Sequence, residues 1–148
     1  MNSVDTEVCW QDGIMTVMKE KTGKFSVRML DFQGSDGYDK EKMKVAIENV
    51  LKRRNLNNVS VICYENLSVD AAMENNATVL VRGIRNGMDY EYEENMASIN
   101  EEISGLDTIY IRAGSLGNIS SSFVMELFNN GKDVTKYLPA EIIEILKQ

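Results

Sequence analysis

One transition constrains this chain more than any other feature. Ala77-Thr78-Val79-Leu80-Val81 is nearly all apolar, and a long helical pattern over residues 89–103 follows closely. A short apolar run of this kind is expected of a strand covered on both faces, at the centre of a parallel sheet. The junction carries Arg82, Gly83 and Arg85, followed by Asp89, Glu91, Glu93 and Glu94. Arginines at the carboxyl end of such a strand lie where open α/β sheets bind ligands.

The rest of the chain fits an α/β alternation. Residues 7–10 and 14–18 have strand character around Gln11-Asp12-Gly13, a turn sequence that favours a hairpin. Lys21-Thr22-Gly23-Lys24 is a further turn, and residues 25–30 are again strand-like, so the start also fits a meander. From Asp39, a candidate N-cap, Met43, Ala46, Ile47, Val50 and Leu51 recur on one helical face. Strands are expected at 59–63, 77–81 and 108–111, and helices at 67–74, 89–103 and 121–129. Gly131 ends the last of these, and Pro139 opens a final helix with Ile142, Ile143, Ile145 and Leu146. The expected fold is α/β: a Rossmann-like, mostly parallel sheet flanked by helices, in a single domain over 1–148. Residues 1–24 form a shortened and atypical amino-terminal segment that fits a hairpin.

Composition limits the function. A net charge of -7 argues against broad nucleic-acid binding, which needs basic surface. The expected chain is cytoplasmic, without a membrane span or secretory leader, and Cys9 and Cys63 are expected to be free thiols. There is no histidine and only two cysteines, so no zinc site is expected.

Several residues have the chemistry of a binding site. The planar guanidinium groups of Arg82 and Arg85 suit phosphate or carboxylate oxygens. The alternative is that they pair with Asp89 or Glu93 and fix the loop. Asp89 and Glu93 are four residues apart on one helix face, where they could steer an arginine, bind a ribose hydroxyl or help hold a magnesium nucleotide. Asn100 falls near the apolar face of the same helix, as a specific polar contact or as ordinary surface. Ser120-Ser121-Ser122 opens a helix, where hydroxyls and free amides suit phosphate or ribose and where serine caps are also common.

Three blocks then carry a family resemblance: ATVLVRGIRNGMDYEYE, NISSSFV and GKDVTKYLPAEI, in that order. Over about residues 39–148 the chain resembles the pantetheine-phosphate adenylyltransferases of coenzyme A synthesis, nucleotidyltransferases with a Rossmann-like domain. The implied reaction moves the adenylyl group of ATP onto 4′-phosphopantetheine, giving dephospho-coenzyme A and pyrophosphate. Magnesium accompanies the ATP, and homo-oligomers, hexamers in bacteria, are implied. The resemblance assigns Arg82, Gly83, Arg85, Leu67, Val69 and Asn100 to the phosphate and pantetheine substrate. It assigns Asp89, Glu93, Ile119, Ser120, Ser121 and Ser122 to the nucleotide.

The family's first strand is followed by a Thr/His-x-Gly-His segment that holds the ATP phosphates, and its second strand by a substrate lysine. This sequence matches neither, and no residue is assigned a catalytic role. Two functions are therefore expected as alternatives. One is a divergent adenylyltransferase. The other is a non-catalytic protein that binds coenzyme A, pantetheine or an adenine nucleotide, or partners an active homologue.

Overall fold

The structure, a computed structural model, describes residues 15–20, 25–29 and 39–148, with side chains from residue 39 onward. In chain order the elements are β1 (Met15–Glu20), β2 (Phe25–Met29), α1 (Lys40–Arg53), β3 (Val59–Ile62) and α2 (Ser68–Glu74). There follow β4 (Ala77–Ile84), α3 (Gly87–Ser104), β5 (Thr108–Arg112), a 3-10 turn (Gly114–Leu116), α4 (Ser121–Asn129) and α5 (Ala140–Leu146).

Among the described residues the strands form one sheet in the order β3-β2-β1-β4-β5. The β2–β3 and β4–β5 pairs are parallel. β1 lies between β2 and β4 and is antiparallel to both, with Val17 opposite Val27 on one side and Val81 on the other. The expected α/β fold is present, with an interior strand that runs against its neighbours. The expected strand at 14–18 falls at Met15–Glu20 and forms a hairpin with β2. The hairpin expected around residues 11–13 lies outside the described residues.

The crossovers through α1 and α3 leave the middle of the sheet in opposite directions. Right-handed connections then place these helices on opposite faces. Packing agrees with that arrangement. Met43 and Ala46 of α1 join Val124 of α4, Val134, Leu138, and Ile142, Ile143 and Leu146 of α5 in one buried cluster. A smaller cluster under α2 holds Ala72, Ala77 and Leu80, with Leu106 packed against it.

Local chemistry sets the helix ends. Asp39 caps α1 as expected, its carboxylate accepting from the Glu41 and Lys42 amides at 2.9 and 3.3 Å. After α4, Gly131 takes φ 67°; its amide reaches the Phe128 carbonyl and that of Lys132 reaches Leu127. This Schellman pattern needs a left-handed residue, which glycine supplies without a Cβ clash. The exposed pair Arg53–Glu141 adds a 2.7 Å contact between α1 and α5, in solvent where such pairs add little.

β4 is longer than its apolar run, and this matters for function. It continues through Arg82 and Gly83 to Ile84, because β5 remains paired with it to the Ile84–Arg112 position. Arg82 therefore sits inside the strand instead of beyond it. Gly83 pairs with Ile111 and provides no tight exit.

Leu80, on β4, is 2% exposed and packs against Ala72 of α2. Leu80→Ala is expected to lower stability by about 2–5 kcal/mol, from lost transfer energy plus the cavity left behind. Urea unfolding measures this, and Arg53→Ala in the same assay should shift the midpoint far less.

Candidate functional site

The site is built where β4 hands over to α3. Side chains alternate along a strand, so Leu80, Arg82 and Ile84 share the face that α2 and α3 cover. α3 begins at Gly87, with the Asn86 side chain accepting the Asp89 amide at 3.0 Å. That start point places Asp89 in the first turn and Glu93 one turn later on the same side.

Each acid takes a different arginine. Arg82 Nε and Nη2 donate to Glu93 Oε2 and Oε1, both at 2.6 Å. The Arg82 and Glu93 side chains are only 10% and 8% exposed. Arg85 Nε and Nη2 donate to Asp89 Oδ2 and Oδ1 at 2.9 and 3.2 Å, and the Arg85 backbone amide also donates to Oδ2. Two-pronged contacts of this kind fix orientation as well as charge. Of the two readings left open by the sequence, the structure shows the pairing: both arginines are held by the expected acids at the carboxyl end of β4.

Sequence reasoning passed over the residue beside Arg82. Tyr110 on β5 is its register partner. The Tyr110 hydroxyl donates to Glu94 Oε2 at 2.8 Å, and its ring meets Tyr90 edge-on at 5.6 Å. Burial, and then the hydrogen bond to Glu94, push the Tyr110 phenol above its ordinary pKa, so it remains a donor. The alternation of 108, 110 and 112 was the available signal that Tyr110 shares a face with Arg82.

The remaining candidates lie around this centre. Leu67 is 60% exposed at the start of α2, whereas Val69 is 1% exposed and part of the core. Asn100 is half-buried, about 10 Å further along α3 from Glu93 at 1.5 Å per residue. Ser120 caps α4 by accepting the Phe123 amide at 3.2 Å, and its hydroxyl lies 3.1 Å from that of Ser122. Ser121 is buried, and Ile119 packs against the large core cluster. The loop from β5 to α4 touches the arginine segment: a Cβ added to Gly117 would lie 3.6 Å from the Arg85 carbonyl oxygen. The Cys63 thiol is half-buried, and burial raises its pKa, which makes it a poor nucleophile.

Among the described residues no group of three or more His, Cys, Asp or Glu side chains converges to hold a metal ion. The two acids nearest the mouth, Asp89 and Glu93, are each engaged by an arginine. This donor set does not fit a magnesium ion held by the described residues themselves.

A sheet and helices of this order, with paired arginines at the end of β4, define a Rossmann-like α/β protein. The phosphopantetheine adenylyltransferase of Porphyromonas gingivalis is 46% identical over 82 residues, 55% of this chain and 54% of that protein. The enzyme of the same name from Allorhizobium ampelinum is 37% identical over 91 residues, 60% and 56% of the two chains. That of Rhizobium meliloti is 34% identical over 107 residues, 71% and 65%. No family model matches the chain. Over the stretch it shares with them the chain is related to the phosphopantetheine adenylyltransferases, and it spans about half the length of the first of these relatives.

The buried ion pair makes a sharp prediction. Glu93→Ala leaves the Arg82 charge buried without its carboxylate, and should cost about 3–5 kcal/mol. Replacing both residues by leucine should cost less than Glu93→Ala alone. Chemical denaturation of the two variants and the parent protein tests the order.

Proposed function

We propose that this protein binds 4′-phosphopantetheine or coenzyme A at the carboxyl end of the sheet and has little or no adenylyl-transfer activity. Arg82 and Arg85 take the phosphate, Leu67 presents apolar surface backed by Val69, and Asn100 meets the pantetheine arm. The family relationship supports this placement, and so does the convergence of Arg82, Arg85, Asp89 and Glu93 at the end of β4. A cytoplasmic homo-oligomer is part of the same proposal. Among the described residues no helix is long and apolar enough to cross a membrane.

The direction of β1 carries the argument against transfer. In a sheet that clamps a triphosphate, the loop after a central parallel strand delivers glycines and a helix N-terminus to the ligand. Here the central strand is reversed. Its last residue, Glu20, pairs with Ala77 at the start of β4, so the connection onward to β2 leaves from the end of the sheet away from Arg82. Four residues separate β1 from β2. No histidine occurs in the 148 residues to stabilise a transferring phosphate. Each lost phosphate clamp of this kind removes about 3–4 kcal/mol of transition-state stabilisation, or two to three orders of magnitude in rate.

Isothermal titration with 4′-phosphopantetheine, coenzyme A and Mg-ATP tests the proposal. The pantetheine compounds should bind, and Arg82→Ala should weaken them by about tenfold or more, the scale of a charged hydrogen bond. Pyrophosphate release should stay near background. Turnover at the rate of an active relative would overturn the non-catalytic part, and no affinity for either pantetheine compound would overturn the binding part.

A further inference from the structure

The arginines assigned so far do not supply net charge. Arg82 is paired with Glu93 and Arg85 with Asp89, each at hydrogen-bonding distance. Together they are close to neutral. The chain as a whole carries -7, which disfavours a phosphate dianion. An anion arriving at this mouth needs positive charge that no carboxylate already balances.

Arg112 stands where that charge is needed. It is the last residue of β5 and the register partner of Ile84, the last residue of β4. Alternation puts 108, 110 and 112 on one sheet face, and Tyr110 identifies that face as the one carrying Arg82 and α3. Arg112 is thus the next same-face position beyond Tyr110, diagonal to Arg82. Strand spacing and rise put the two Cα atoms about 8 Å apart. The Arg112 side chain is exposed, and among the described residues it makes no ion pair or hydrogen bond. Its backbone is fixed nevertheless. The Ala113 amide donates to the Ile84 carbonyl at 2.8 Å, and the loop beyond packs against Arg85 through Gly117. A held backbone with an unheld guanidinium at the carboxyl edge of a sheet is suited to meeting a ligand from solution.

We propose that Arg112 is a third arginine of the site and contacts the terminal phosphate of the ligand with a guanidinium that no carboxylate among the described residues engages. This rests on the pantetheine-binding function proposed above. It adds a phosphate-selecting residue, from the strand next to the one that carries Arg82. The loop that follows Arg112, with its 3-10 turn, forms the rim on that side.

The test compares 4′-phosphopantetheine with pantetheine, which lacks the phosphate, by calorimetric titration of the whole chain. Parent protein, Arg112→Ala, Arg112→Lys and Arg82→Ala are measured at two salt concentrations. Arg112→Ala is expected to weaken 4′-phosphopantetheine by about tenfold and to leave pantetheine unchanged. Arg112→Lys should recover part of the loss, because it keeps the charge and loses the fork. The affinity of the parent for the phosphorylated ligand should fall more steeply with salt than that of Arg112→Ala. If Arg82→Ala weakens binding while Arg112→Ala binds as the parent does, the role of Arg112 is overturned and the binding function stands. If the parent binds neither compound, the binding function falls, and the role of Arg112 with it.

Discussion

The Arg82–Glu93 contact is the interaction on which the rest of the site depends. α3 has eighteen residues, and Glu93 is the only one in the fully buried class. Met88, Tyr90, Tyr92, Ile99 and Ile103 of the same helix are exposed. An amphipathic helix ordinarily docks through an apolar stripe. This one docks through half-buried side chains and a buried carboxylate gripped by a strand arginine. The pair sets the rotation of α3 about its axis. That rotation brings Asp89 to Arg85 and Glu94 to the Tyr110 hydroxyl. Bulk hydrophobic attraction would tolerate a helix turned by tens of degrees; a two-pronged contact at 2.6 Å does not.

Reversal of β1 separates two jobs that an open α/β sheet usually combines. A central strand must fill its slot with backbone hydrogen bonds, and the loop after it must serve the ligand. β1 does the first. Its ladders to β2 and β4 close the middle of the sheet, where an empty slot would leave two strand edges unpaired. It does not do the second, because its carboxyl end points the other way. The sheet can therefore keep its order, its face assignment and the geometry around Arg82 although β1 runs against its neighbours.

Much of this was legible in the sequence, for identifiable reasons. The run 77–81 reported a covered strand because few structures tolerate so few polar groups on either side. Asp39 reported a helix start, and Gly131 a helix end, because capping chemistry is local. Arg82 and Glu93 were visible as candidates, and so was their pairing as one alternative. The end of β4 was not legible: Arg82 and Gly83 have poor strand character, and only pairing with β5 extends the strand to Ile84. The direction of β1 was not legible either. A strand pattern states which faces are apolar and says nothing about which neighbour it joins or which way it runs. Arg112 escaped notice because its meaning is positional, and its position becomes visible only with the β4–β5 register.

Charge balance connects the site to the kind of ligand it suits. A carboxylate beside each arginine keeps the guanidinium in place without ligand, at the expense of most of its long-range attraction. What remains among the described residues is short-range geometry from Arg82 and Arg85, plus the exposed Arg112 at the edge of β5. That combination suits a single terminal phosphate better than a polyphosphate. A monoester brings about two charges, which oriented donors and the proposed Arg112 contact can meet. A triphosphate brings about twice that, and its usual compensation is a ring of amides at a helix N-terminus together with a metal ion. The reversed strand turns its outgoing connection away from that position, and the acids near Arg82 are already engaged. On the function proposed for it, this protein kept the half of the family's site that recognises a phosphate end, since that half is fixed by β4, α3 and β5 and does not depend on β1.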